Sequence, residues 1–137
     1  MQNKKIYITE TDLQKLSEVI RTARQGEYRN SIYLQQLEEE LKRAEIVTSQ
    51  DIPADVITMN SRVILRDLEN QEDLDLTLVF PEDSTSAEES ISILAPIGIA
   101  MIGYRAGDSF TWETPGGMRS LRVERVLYQP EASGVYD

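Results

Sequence analysis

Apolar residues recur at helical spacing in the first third of the chain and at strand spacing in the remainder. After a short extended stretch at Ile6-Tyr-Ile8, the residues Leu13, Leu16, Ile20 and Ala23 succeed one another at steps of three, four and three, the spacing of one helix face. Either Thr9-x-x-Asp12 or Thr11-x-x-Gln14 supplies a capping box to open that helix. Leu34, Leu37, Leu41 and Ala44 repeat the pattern, with Glu38-Glu-Glu40 and Lys42-Arg43 on the other faces. Gln25-Gly-Glu-Tyr-Arg-Asn30 lies between, and its Gly and Asn supply turn chemistry. The two helices are therefore predicted to fold back antiparallel as a short coiled-coil hairpin. Helices of about 15 residues give an arm only about 20 to 25 Å long. Its seam is too small to stand alone, so it either packs on the rest of the chain or projects and is held by a partner.

From residue 55 the period shortens to two. Val63 and Leu65 alternate with Arg62, Ile64 and Arg66; Leu74, Leu76, Leu78 and Phe80 alternate with Asp75 and Thr77. These are strands, joined by a polar connection of hairpin length centred on Asn70. Ile91-Ser-Ile-Leu94 is a third extended run. Ala95-Pro96 suits a helix start and Gly103 its end, giving one or two apolar helical turns between them. Phe110 and Trp112 share one face of a further strand, Pro115-Gly116-Gly117 is a turn, and 121–128 is the last strand. Its apolar phase switches between Val123 and Val126, which predicts a β-bulge near Glu124 and Arg125. The tail from Gln129 is expected to fray.

The division is α+β: a helical hairpin over residues 1–50 and a β-rich domain over 51–137, with the polar, proline-bearing stretch 48–55 as linker. Charge follows the same division. Residues 1–50 hold eight basic and eight acidic side chains, whereas the remainder holds 6 and 16 and so carries the whole net charge of −10. So acidic a chain is repelled by bare phosphate, which disfavours direct, sequence-independent nucleic-acid binding and points to a protein partner. The chain has no cysteine and no histidine, so thiol nucleophiles, disulfides, imidazole bases and Cys/His zinc sites are excluded. No apolar run reaches the length of a signal peptide core or a membrane span. The expectation is a cytoplasmic protein that is not an enzyme and needs no cofactor.

Other chemistry is sparse. The nine carboxylates of 67–89 lack the spacing and glycine of a calcium loop and are expected to be a solvated face rather than a metal site. Trp112 with Phe110 and Tyr104 either line a ligand pocket or belong to the core. The Gly pairs precede no apolar helix with a Lys, so they are not phosphate loops.

Ile91-Ser-Ile-Leu-Ala-Pro-Ile-Gly98, Met101-Ile-Gly103, Gly107-Asp108 and Trp112-Glu-Thr-Pro-Gly-Gly117 together resemble the C-terminal domain of the bacterial Gre transcript-cleavage factors, over most of residues 57–128. The resemblance implies an FKBP-like fold, an antiparallel sheet against a short helix. The N-terminal half is too short for a full Gre coiled coil. With Thr58-Met-Asn-Ser-Arg-Val63 and Tyr128-Gln-Pro-Glu-Ala132 it is similar instead to a small RNA polymerase-binding member of the family. Gre factors carry two acidic tip residues, Asp-x-x-Glu, that help hold a magnesium ion in the polymerase secondary channel. A catalytic second metal needs such a pair. Here the tip offers Glu27, but three residues on stands Asn30, and Arg29 opposes a cation.

The resemblance thus implies a monomeric regulator that engages the secondary-channel rim of RNA polymerase, competes with Gre factors and does not stimulate cleavage. Its expected contacts are Glu27, Tyr28, Arg29 and Asn30 at the tip, and Leu94, Ala95, Pro96 and Ile97 in the anchoring loop. The family form has Ser where Ala95 stands, so a polar contact there is lost, while Pro96 and Ile97 remain as apolar contacts. The enzyme-class alternatives are a peptidyl-prolyl isomerase, suggested by fold alone, and a true cleavage factor acting through Glu27.

Overall fold

A computed structural model describes residues 5–26, 28–84, 89–114 and 116–136. Strand β1 (Tyr7–Thr9) runs directly into helix α1 (Glu10–Arg24). Thr9 ends β1 in extended geometry and its hydroxyl accepts the Asp12 N–H at 3.0 Å, so it is the N-cap. Acidic Glu10 and Asp12 sit in the first turn and basic Arg21 and Arg24 in the last, complementing the helix dipole. Ser31 caps α2 (Ile32–Arg43) by accepting from the backbone of Tyr33 and Leu34. Arg24 and Glu38 pair across the intervening turn and fasten the two helices together. The chain then enters β2 (Glu45–Val47), which lies parallel to β1 and closes the base of the hairpin.

The main sheet has the order β5-β4-β3-β7-β6. Strands β3 (Arg62–Asp67) and β4 (Asp73–Val79) form an antiparallel hairpin, braced on its exposed face by Arg62 to Asp75 (2.7 Å) and Arg66 to Asp73 (2.8 Å). β7 (Gly117–Tyr128) pairs antiparallel with both β3 and β6 (Ser109–Thr114). The expected bulge is present: Ile64 faces Arg125 and Leu65 faces Val123, so Glu124 has no partner. A second shift at Leu127 was not expected. Nor is the sheet wholly antiparallel. β4 is followed by the 3-10 turn Pro81–Asp83, and β5 (Ser90–Ser92) runs parallel to β4 at the sheet edge. Helix α3 (Pro96–Met101) follows, and Gly103 ends it with φ +84°.

Of the two arrangements the hairpin seam permitted, the structure has the packed one. Leu16, Ile20, Ala23, Leu34 and Leu37 belong to the same apolar cluster as Val63, Leu65, Phe110 and Val123 of the sheet. Backbone bonds stitch the parts together: the Tyr7 N–H donates to the Gly103 carbonyl (3.2 Å), and the Gly103 N–H to Ile57 (2.9 Å). The Asp12 carboxylate accepts the Met59 N–H at 3.0 Å.

The tail, expected to fray, is instead tied down. The Gln129 side-chain amide donates to the carbonyls of Pro53 and Val56, both at 2.8 Å, and Glu131 accepts from Thr58 at 2.8 Å. Ser49 donates to the Tyr136 carbonyl at 3.3 Å. The Gln129 bonds satisfy the carbonyls of Pro53 and Val56, and with the other two they hold residues 129–136 against the segment 49–58.

Candidate functional site

The turn between α1 and α2 holds four of the expected contact residues. Glu27 lies outside the described residues. Tyr28 is 40% exposed and Arg29 and Asn30 are exposed or nearly so. The Arg29 N–H bonds to Gly26 and the Ser31 N–H to Tyr28 (2.9 Å), so a tight turn fixes where these side chains emerge.

The loop ahead of α3 is built with similar economy. The Ser92 hydroxyl accepts the Leu94 N–H at 3.0 Å, and the Ser92 carbonyl accepts that of Ala95 at 3.0 Å. A Cβ on Gly98 would run into this same carbonyl, so the loop is wrapped closely on the helix only because position 98 carries no side chain. Leu94, Ala95 and Pro96 are half-buried, whereas Ile97 is buried in the core. Its expected use as an apolar contact is therefore corrected: α3 turns that side chain inward to fill the sheet.

Ala95 is the α3 N-cap and makes no side-chain capping bond. Restoring a hydroxyl with Ala95→Ser is expected to raise the unfolding free energy by about 1 kcal/mol, read as a higher denaturation midpoint at unchanged m-value.

The structure brings turn and loop together. Val19, Ala23 and Tyr28 of the hairpin face Pro81 and Leu94 of the β-rich part across an apolar groove of about 420 Å³, with Glu18 and Glu82 at its rim. A second cleft of about 400 Å³ opens between α2 and the β6 edge. Tyr104 and Phe110 pack there with ring centroids 5.7 Å apart, and Trp112 is half-buried beside them with no acceptor for its Nε1–H among the described residues. These aromatics are thus core and cleft lining at once. Burial first, and Glu40 second, push the Tyr104 hydroxyl above its ordinary range.

Part of the acidic run is paired with arginines. Arg119 holds the Asp67 carboxyl below its usual range, and Arg66 and Arg62 do the same for Asp73 and Asp75. Among the described residues no three Asp, Glu, His or Cys side chains converge as a metal site.

The capping residue Asp12 has a second role, which its spacing does not mark. Asp12 is 6% exposed, and burial pushes its carboxyl up to about 6; the Met59 N–H and Lys15 oppose the shift, while Glu131 adds to it. Three-residue spacing from Thr9 marks it as a capping residue and nothing in the sequence marks its distant partner.

Two family descriptions divide the chain between them. "Rnk N-terminus" matches residues 4–47, and "Transcription elongation factor, GreA/GreB, C-term" matches residues 52–128. The chain is similar to the regulator of nucleoside diphosphate kinase of Escherichia coli K12, at 46% identity over 73% of this chain and 74% of that protein. It is similar to the transcription elongation factor GreA of Desulfotalea psychrophila at 33% identity over 66% of this chain and 56% of that factor. Among solved structures, the transcription elongation factor GreA/GreB from Nitrosomonas europaea superposes with a TM-score of 0.75 at 38% identity, covering 92% of this chain and 100% of that one. No helix among the described residues is long and apolar enough to cross a membrane. An N-terminal segment of Rnk type joined to a Gre C-terminal module leaves one assignment: the chain belongs to the Gre family of transcription factors and, within it, to the regulators of nucleoside diphosphate kinase.

Proposed function

We propose that the protein is a cytoplasmic, monomeric transcription regulator that binds RNA polymerase at the rim of its secondary channel, competes with Gre factors and does not stimulate transcript cleavage. Residues 51–137 serve as an FKBP-like anchor and residues 1–50 as a short coiled-coil arm. The observation that carries the proposal is the chemistry of the tip. Gly26-Glu27-Tyr28-Arg29-Asn30 has one carboxylate where the family's cleavage factors have two, and an arginine beside it. A lone carboxylate next to a guanidinium holds a divalent cation poorly, because the second ligand is missing and the neighbouring charge repels the ion.

The shared groove supports the docking half of the proposal. Tyr28 and Leu94 line it from opposite sides, so turn and anchoring loop present one continuous edge to a partner. Purified core polymerase is expected to retain the chain and to release it on addition of a Gre factor; no retention at micromolar concentration defeats the proposal. A backtracked complex is expected to keep its RNA length when the chain is added. Shortening that is lost with Glu27→Gln would instead make the protein a cleavage factor.

A further inference from the structure

The cleft between α2 and β6 has a composition of its own. Half-buried Trp112 and Tyr33 present rings to it, buried Tyr104 and Phe110 back them, and α2 contributes Glu39 and Glu40; no Lys or Arg is among the described residues that line it. Arg43 already pairs with Glu40 at 2.6 Å. Glu39 is exposed and has no ion pair among the described residues. Aromatic faces attract cations, and an unpaired carboxylate beside them adds a counter-charge. A net charge of −10 draws cationic groups in from a distance and repels anions. About 400 Å³ is room for one long side chain and not for a helix. A guanidinium suits the lining better than an ammonium, since it is planar, stacks on rings and meets a carboxylate through two N–H groups. Pro96 of the exposed loop also lines the cleft, making it continuous with the docking edge.

We propose that this cleft receives an arginine side chain of the partner protein, its guanidinium against Trp112 and paired with Glu39. The identity of that partner rests on the polymerase reading above, but the recognition chemistry is testable without it.

Trp112 is the chain's single tryptophan, so its emission reports on the cleft alone. The intact chain is titrated with a blocked glycine-flanked arginine peptide and with its citrulline counterpart, which keeps the shape and removes the charge. A saturable change with the arginine peptide, about tenfold weaker with citrulline and with the Glu39→Gln variant, is expected. So is weaker capture of purified core polymerase by Glu39→Gln. A flat titration at millimolar peptide, equal response to both peptides, or equal capture by both proteins overturns the proposal. Failure of the unaltered chain to capture polymerase defeats the docking reading instead, and the peptide comparison then decides the cleft by itself.

Discussion

Replacing Gly103 with alanine is expected to lower the unfolding free energy by about 3 kcal/mol and to loosen the N-terminal strand from the rest of the molecule. Gly103 has φ +84°, a conformation that strains an L side chain. A Cβ there would also lie 2.7 Å from the Cβ of Ile6 and 3.3 Å from the Tyr7 carbonyl oxygen. Ile6 has nowhere to retreat. It is 1% exposed, its carbonyl accepts the Glu45 N–H at 2.9 Å, and the next residue bonds to Gly103 itself. Backbone strain of about 1 kcal/mol or more therefore adds to an overpacking cost of about 1–3 kcal/mol.

Gly107 separates the two causes. It too has positive φ, +94°, but nothing lies within 4 Å of its Cβ position. Gly107→Ala should show the strain alone, about 1–2 kcal/mol. Denaturant titration of both variants checks the account, and equal losses would rule out the clash with Ile6. Limited proteolysis of Gly103→Ala should cut first within the released N-terminal segment, because β1 is held to the β-rich part through this contact.

What local periodicity governs was legible. Leu16, Ile20 and Ala23 are buried where the helical spacing put them, and the phase switch from Val123 to Val126 located a bulge that the register confirms at Glu124. Bonds between residues far apart in the chain were not legible. Gln129 reads as the first residue of a polar tail, yet its amide reaches carbonyls 76 and 73 positions earlier and is 2% exposed. β5 reads as an extended run whose direction no pattern encodes, and it lies parallel to β4.

The candidate site divides in the same way. In the sequence Leu94 belongs to a family loop and Tyr28 to a turn, and their meeting across one groove depends on how the hairpin packs on the rest of the chain. Ile97 shows the converse. A four-residue motif names all its positions alike, whereas α3 leaves Pro96 half-buried and buries Ile97 because consecutive helical residues point about 100° apart.

Asp12→Asn is expected to stabilise the protein at pH 7 by about 1–3 kcal/mol and to flatten its stability between pH 5 and 7. The carboxyl titrates at about 6 in the fold against 3.8 as its ordinary value. The folded state therefore binds this proton more tightly than the unfolded chain does. Its contribution to stability is fully present below pH 3.8 and is lost as pH rises through 6. Two pH units of separation at 1.36 kcal/mol each amount to about 3 kcal/mol between those limits, of which about 1 kcal/mol falls between pH 5 and 7. Asp67, Asp73 and Asp75 act with the opposite sign, since their arginines lower them and their contribution is lost only as pH falls below the usual carboxylate range. The interval from pH 5 to 7 is thus where Asp12 is seen alone among the shifted carboxyls of the described residues. Asn keeps an oxygen for the Met59 N–H and sheds the buried charge facing Glu131. Asp12→Ala also sheds the charge but leaves that N–H without its acceptor, and should fall about 1–3 kcal/mol below Asp12→Asn. Urea midpoints of the three proteins at pH 5 and 7 decide the matter. If the unaltered chain is no more stable at pH 5 than at pH 7, or the Asn variant keeps its pH dependence, the cost assigned to this buried carboxylate is wrong. If the two variants are equal in stability, it is the bond from α1 to Met59 that contributes nothing, and apolar burial and the Tyr7–Gly103 backbone bond hold the hairpin without it.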